Sequence, residues 1–599
     1  MASAKMKTPD ILSLGRQSNA LSTALEHCRT AFIAVGAFSL VVNILQLTTS
    51  IYMLQVYDRV LSSRSTDTLF FLTLITVFAL MLLATMEMAR TQVMQRAGAW
   101  VEQKLAPEGF VRGIEGQLQG RGYRMEILRD LGVVRGFLSS PTLMSIYDVP
   151  WVPVYLAVIF LLHPVLGVVA TLGAVALVIL TVVNETATTS LLKRTSLRGA
   201  VAQRQSESIV RNAEVIDAMG MMPAVLERWH VASVAVGPDQ KAASDRASAI
   251  MAATRFIRML LQVAVLGVGA LLVLRNEMTS GAMIAASIIM GRALAPVEQL
   301  IGGWKVLVSA RSARQRLTMG LLVPRMRPAG LPLPAPEGKL TVDRVSYAFP
   351  GQKNFTIKAV SFGLEAGESL AVIGPSAAGK TTLIRLLIGA VDPSGGCVRL
   401  DGADIYTWQR EDVGRYIGYM PQDVELFDGT VFDNIARMQP DASPNDVFDA
   451  AKLAGCHDMI LRLPEGYETA IGEAGSHLSG GQRQMIGLAR AMFGNPKLVV
   501  LDEPNSNLDS EGEAALMAAM LTLKERKATV VVVSHRPTLV QRVDTILVLR
   551  DGALDMYGPR PEIMKRLMGP RTAEAPPPPP RPGSEGFGSG SNDSRKAAP

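Results

Sequence analysis

At 599 residues the chain is too long for one ordinary core, so several domains are expected. Charged residues make up 19% and hydrophobic residues 48%. Soluble chains carry about 25% charged residues, so part of this one belongs in lipid, which excludes a disordered, collagen-like or fully soluble polar protein. The net charge of +7 fits either nucleic acid or basic residues flanking membrane spans.

The three cysteines, Cys28, Cys397 and Cys456, are too few and too scattered for a disulfide scaffold or a zinc site, and six histidines oppose a histidine-rich metal centre. Residues 1–29 are polar and lack the short apolar core and cleavage site of a signal peptide. About 20 apolar residues cross a bilayer as a helix. By that rule six spans are expected in residues 30–323: Ala31–Leu54, Leu69–Met88, Ile146–Leu162, Val165–Val183, Met259–Leu274 and Met278–Ile301. Asn43 and Gln46 in the first would face other helices rather than lipid. His163 and Pro164 force a tight reversal between the third and fourth. Arg292 in the sixth either lines a path or pairs with a neighbouring helix.

Three links between spans are short. The two long ones, after the second and fourth spans, are helical in character and hold eight Lys or Arg each, between Arg90 and Arg135 and between Lys193 and Arg246. That charge places them with both termini on the cytoplasmic side, although Arg59 and Arg64 in a short link oppose the rule. A solvated helix face is preferred to nucleic-acid binding for these residues. Prolines 324, 328, 332, 334 and 336 mark a linker, 324–338. Residues 339–569 alternate β-rich and helical runs, an α/β signature, and 570–599 is a Pro/Gly/Ser-rich tail too poor in apolar residues to order itself.

Within the α/β part, Gly374, Pro375, Ser376, Ala377, Ala378, Gly379, Lys380 and Thr381 match G-x-x-x-x-G-K-[ST]. A buried strand, Ser369–Ile373, precedes the loop and a helix, Lys380–Ile388, follows it, as a phosphate-binding loop requires. Its N–H groups and the helix N-terminus would face phosphate oxygens, Lys380 would reach the β/γ-phosphates, and the Thr381 hydroxyl would hold Mg²⁺. Leu498–Leu501 reads as a parallel strand covered on both faces, ending in Asp502 and Glu503. Alone such an acidic pair reads as a helix cap. Beside a phosphate loop, Asp502 would orient Mg²⁺ and Glu503 would polarise the attacking water. Leu478, Ser479, Gly480, Gly481 and Gln482 precede a helix with Met485, Ile486, Ala489, Met492 and Phe493 on one face, and Ser479 with Gln482 fits a capping box.

These residues together resemble the ATP-binding-cassette transporters, whose signature is identical to Leu478–Gln482. The resemblance implies an α-helical six-span transmembrane domain of the exporter type 1 fold, fused to an α/β P-loop NTPase nucleotide-binding domain. It implies ATP and Mg²⁺ as cofactors, with Thr382 added to the nucleotide contacts. Gln422 would sense nucleotide and metal, so that Thr381, Gln422 and Asp502 form the metal set. His535 would contact the γ-phosphate, and Asn507, Leu508 and Asp509 would meet the partner subunit. Phe349 would stack on adenine, with Tyr347 on the same strand face and a packing aromatic as the other reading. A single copy of each motif implies a homodimer with two shared ATP sites.

Four segments, Tyr52–Leu61, Tyr147–Pro153, Arg211–Met221 and Leu501–Asp509, are similar to the PrtD-type inner-membrane component of bacterial type I secretion. The loop departs slightly at Ala377 and Ala378, where Gly-Ser is common. The resemblance implies export of an unfolded protein with a C-terminal signal, such as a calcium-binding repeat protein. The companions would be a periplasmic adaptor (membrane fusion protein) and a TolC-like outer-membrane channel. The short N-terminal region is expected to exclude a peptidase-like domain. The location would be the bacterial inner membrane, in contact with lipid, with the nucleotide-binding domain in the cytoplasm and no nucleic-acid partner. The alternative is a lipid or small-molecule exporter. Glu503 and His535 oppose a non-hydrolysing channel or regulator, and the six spans oppose a soluble DNA-repair or translation ATPase.

Overall fold

Among the described residues six helices are long and apolar enough to cross a membrane: Arg29–Ser63, Thr66–Leu118, Pro141–Leu162, Pro164–Arg211, Gly237–Leu274 and Ser280–Gly302. They belong to a computed structural model that describes residues 20–118, 126–234, 237–322, 326–327, 333–352, 354–472 and 475–568. Of the expected terminal and linker segments, 1–19, 323–325, 328–332 and 569–599 lie outside the described residues. The chain divides into two compact units at Met326 and Arg327.

Every expected span is present, but four helices run well past the apolar stretch that revealed them. Hydropathy marks where lipid ends, whereas a helix continues until a backbone signal stops it. The first helix passes through the polar residues Tyr57, Asp58 and Arg59 as a π-helical turn, Val56–Val60, and stops where Arg64 adopts φ +56°. The second holds 53 residues, about 80 Å at helical rise, far beyond the ~30 Å of hydrocarbon. The long links are therefore largely extensions of the spans themselves. Between the third and fourth spans, His163 alone leaves the helix: its extended backbone precedes Pro164, and its ring accepts the N–H of Val165 at 3.3 Å.

The sixth span is the packed centre of this unit. Ala282, Ala285, Ala286 and Ala293 are buried along it, and such small residues let helices approach closely. Arg292 is exposed on the same helix and makes no ion pair among the described residues. Asn43 is buried, as expected, and its amide donates to Asp148 at 2.8 Å while its Oδ1 accepts from Tyr155 at 2.9 Å. Arg90 joins the same network through a 2.9 Å ion pair with Asp148. Beyond the spans, helix Trp304–Leu322 packs Ala313, Leu317 and Leu321 against Ile127, Leu131 and Val134 of helix Glu126–Leu138. Arg316 fixes that packing with two bonds to Asp130, at 2.8 and 2.6 Å.

Among its described residues the second unit contains ten strands: β1 (Leu340–Tyr347), β2 (Ile357–Leu364), β3 (Ser369–Ile373), β4 (Gly395–Leu400), β5 (Ala403–Asp404), β6 (Ile417–Met420), β7 (Leu498–Asp502), β8 (Thr529–Val533), β9 (Thr545–Arg550) and β10 (Ala553–Pro559). A small antiparallel sheet runs β2-β1-β4-β5, and a six-stranded sheet runs β10-β9-β3-β8-β7-β6. In the latter all neighbours are parallel except β9 and β10. Two separate hydrophobic cores cover its faces. Val499, Leu501, Val530 and Val532 enter one, and Leu498, Val500, Val531 and Val533 enter the other. Burial on both sides explains why β7 and β8 read as unbroken apolar runs.

Candidate functional site: a phosphate loop and an acidic strand end

The carboxyl ends of β3 and β7, two strands apart in one parallel sheet, place the candidate residues together. After β3 the chain turns through Gly374, where a Cβ would collide with the carbonyl oxygen of Leu549 on β9. It enters helix Lys380–Leu387 through Gly379, whose φ of +96° suits glycine. Pro375, Ser376, Ala377 and Ala378 form the curl between, and Thr381 and Thr382 open the helix. Ala377 sits at φ +63°, a left-handed conformation that costs an alanine roughly 1–2 kcal/mol. Its departure from the usual glycine is therefore a strained one.

Lys380 is buried and folds back over the loop, donating from Nζ to the carbonyls of Gly374 at 2.8 Å and Pro375 at 3.0 Å. Burial pulls its pKa down, while Glu503 and Asp502 oppose that shift. Asp502 ends β7 and is 1% exposed. Burial raises its pKa, against a hydrogen bond from Thr381. Its Oδ2 is buried without a partner. A buried, unpaired carboxylate oxygen beside a threonine hydroxyl is a hard-oxygen set of the kind Mg²⁺ takes, so the residues present fit that ion.

Glu503 follows β7 at φ +49°, a sterically unfavourable conformation for a residue with a side chain. Its N–H donates to the carbonyl of Val533 on β8 at 3.0 Å, which anchors the strained residue. Gln422, two residues past β6, donates from Nε2 to Glu503 Oε2 at 3.0 Å. His535, two residues past β8, brings Nε2 to 3.7 Å from Glu503 Oε1. Three neighbouring strands therefore deliver Gln422, Glu503 and His535 to one point.

The signature segment lies elsewhere on this unit. Ser479 and Gln482 form the expected capping box at the start of helix Gly480–Met492. Phe493 is buried, but it lies just past the helix end rather than on its face. Gly481 approaches Asn507 closely, so that a Cβ there would lie 3.1 Å from its carbonyl oxygen, and Gly480 lies beside the same residue. A cavity of about 450 Å³ opens here, lined by Ser479, Gly481, Gln482, Asn507, Leu508 and Asp509 among others, with no residue of 374–382. Leu478, the first residue of the segment, is buried and does not line it. Asp509 caps the next helix through the N–H of Gly512 at 2.8 Å.

One positioning residue escaped the sequence reading. Gln484 is 2% exposed and donates from Nε2 to the Pro504 carbonyl at 2.6 Å, while its Oε1 accepts the Asn507 N–H at 2.8 Å. It ties the signature helix to the loop after Glu503. Its position two residues beyond the signature carries no sequence signal of that role. Phe349 lies beyond the end of β1, 38% exposed, and meets Tyr347 edge-on at 5.2 Å between ring centroids. Both aromatics thus stand at the end of β1, an interior strand of the small sheet, with the Phe349 ring partly exposed.

The family model for the ABC transporter matches residues 357–506, and that for the ABC transporter transmembrane region matches 123–296. The chain is 40% identical to the type I secretion system ATP-binding protein PrsD of Rhizobium meliloti (strain 1021), over 94% of this chain and 97% of that one. It is 30% identical to the cyclolysin secretion/processing ATP-binding protein CyaB of Bordetella pertussis, over 87% and 74%. A solved structure of a bacterial Atm1-family ABC exporter with ATP bound shares the fold, with a TM-score of 0.79 over 90% of this chain and 96% of that one at 24% identity. The expected fold, a six-span helical domain joined to an α/β nucleotide-binding domain, is the fold found.

Proposed function

The chain belongs to the ABC transporter family, and from that premise we propose that it is the inner-membrane exporter of a type I secretion system. It is a multi-pass membrane protein and an ATP hydrolase coupled to transport. The cargo is an unfolded protein with a C-terminal secretion signal, moved out of the cytoplasm. What carries this reading is the likeness to PrsD along nearly the whole of both chains, spans and nucleotide-binding domain alike. The nucleotide-binding domain lies in the cytoplasm, and the partners are a second copy of the chain, a periplasmic adaptor and an outer-membrane channel.

In the proposed cycle ATP occupies the loop Gly374–Thr382, with Phe349 on adenine. Lys380 turns from the Gly374 and Pro375 carbonyls towards the phosphates. Thr381, Asp502 and Gln422 would hold Mg²⁺, which supplies charge neutralisation for the phosphate oxygens. Glu503 accepts a proton from water as its oxygen attacks the γ-phosphorus and the bond to the β-phosphate oxygen breaks. His535 touches the γ-phosphate, and Gln422 orients Glu503. The Leu478–Gln482 segment of one copy closes the site of the other, and Asn507–Asp509 lies at the seam. Separate placement of the signature cavity and the 374–382 loop within one chain supports that pairing.

Comparison of the secreted proteins of a deletion strain with those of its parent tests the reading. Loss of one or two large extracellular proteins, restored by the parental gene but not by Glu503→Gln, is expected. An unchanged set of secreted proteins, with altered membrane lipids, would replace the reading by lipid export.

A further inference from the structure

The segment Tyr52–Leu61 is part of the resemblance to secretion exporters, yet it takes no part in ATP chemistry. It ends the first span, at the short-link end of the bundle, opposite the long helical extensions. Here the helix widens into the π-helical turn Val56–Val60. Such turns are rare and concentrate where function needs a side chain re-aimed.

The turn directs Asp58 at the start of the sixth span. Its Oδ2 accepts the Thr279 hydroxyl at 2.6 Å and its Oδ1 accepts the Gly281 N–H at 2.9 Å. Thr279 is the N-cap of that helix, and its own oxygen accepts the Ala282 N–H at 3.2 Å. The approach requires glycine at 281: a Cβ there would lie 2.6 Å from Asp58 Oδ1 and 2.7 Å from the Leu54 carbonyl oxygen. A carboxylate at a helix N-terminus also gains from the helix dipole.

Two of the polar ties that hold the first span in this bundle differ in kind. Ser39 and Asn43 bind it to Asp148 of the third span, whose ion pair with Arg90 of the second has side chains only 11% and 9% exposed. Breaking a pair so buried strands a charge, which suits a permanent joint. Asp58 is only half-buried and Thr279 is exposed, so water can replace both bonds once they part. Of two further polar contacts described at this end, Tyr52 to Thr73 at 3.1 Å joins the first span to the second, and His163 Nε2 to Glu277 Oε2 is long at 3.8 Å.

We propose that Asp58 is a positioning residue of the transport cycle, a clasp that holds the short-link ends of the first and sixth spans together and releases when that end opens to pass cargo. The inference rests on ATP-coupled movement in the proposed function, and not on the identity of the cargo.

The test uses the full-length chain in lipid nanodiscs. In the double variant Asp58→Cys, Thr279→Cys, oxidation is expected to lower ATP hydrolysis at least tenfold, with recovery on reduction. Equal rates in a pair shown by mass spectrometry to be linked would overturn the proposal. A second arm needs no crosslink. In a Cys397→Ser background, maleimide labels Ala282→Cys, which is buried one turn into the sixth span. Adding Asp58→Asn is expected to raise that labelling rate at least threefold before nucleotide is added, and an unchanged rate would sink the clasp. The labelling arm stands apart from the secreted-protein comparison, so a failure of the clasp and a failure of the export reading give different results.

Discussion

The side-chain amide of Gln422 donates a 3.0 Å hydrogen bond to the carboxylate of Glu503, a residue held at φ +49°. The amide comes from the end of β6 and the carboxylate from the end of β7. A general base needs its carboxylate fixed in one orientation, and this bond together with the strained backbone fixes it.

Glu503→Gln is expected to lower phosphate release by about 10²–10³-fold, the usual scale for losing a general base, while nucleotide binding persists. Gln422→Ala leaves the base in place but unoriented, so a smaller loss of about tenfold is expected from mispositioning. Phosphate release and equilibrium binding of a fluorescent nucleotide, measured on the same preparations, separate the two. A Glu503→Gln variant that hydrolyses ATP at the parental rate would remove the base from Glu503.

Mg²⁺ binding should weaken as pH falls, and Asp502 gives the reason. Burial raises its pKa, so it takes up a proton at a higher pH than an ordinary aspartate. The ion needs the charged form. Lowering pH from neutral through that raised pKa therefore costs affinity, and binding releases a proton. The same shift fixes the sign for stability without metal. A carboxylate whose folded pKa is raised contributes fully below its unfolded pKa and loses that contribution as pH rises through the folded value. Asp502→Asn is thus expected to raise the metal-free melting temperature at neutral pH and to abolish the further rise given by Mg·ATP. Thermal unfolding across neutral to mildly acidic pH, with and without Mg·ATP, measures both.

The parallel strands were legible because burial on both faces leaves a continuous apolar run, as at Leu498–Leu501 and Thr529–Val533. The phosphate loop was legible because its glycines answer local steric demands. The helical extensions were not, because hydropathy reports lipid and not backbone: nothing between Met88 and Leu118 stops the helix, and even Pro107 lies within it. The φ of Glu503 was hidden because no local rule favours a glutamate there; the tie to Val533, 30 positions along, imposes it.

Gln484 was hidden for the same reason, since its partners at 504–507 are distant in sequence. Gln484→Leu keeps the volume but leaves the Pro504 carbonyl and the Asn507 N–H without their partner. Each such loss costs about 1–3 kcal/mol when buried. The expected result is a lower melting temperature and an ATPase reduced through kcat, because the loop carrying Glu503 loosens while the phosphate loop is untouched. A fall confined to KM would place Gln484 on nucleotide binding instead.

The buried pair Arg90–Asp148 offers a test of what joins the first three spans. Asp148 also accepts from Ser39 at 3.1 Å and Asn43 at 2.8 Å, so its carboxylate gathers four hydrogen bonds with the two from Arg90. Removing the carboxylate alone, in Asp148→Leu, strands the guanidinium in an apolar bundle, a loss of about 3–5 kcal/mol by the scale of broken buried pairs. Removing both charges, in Arg90→Met with Asp148→Leu, removes the stranded charge as well. The double variant is therefore expected to be more stable than Asp148→Leu alone, even though it has lost more hydrogen bonds. Thermal unfolding of the full chain in nanodiscs gives the four corners of the cycle. A double variant less stable than either single one would mean that Ser39 and Asn43, left without Asp148, weigh more than the unpaired arginine.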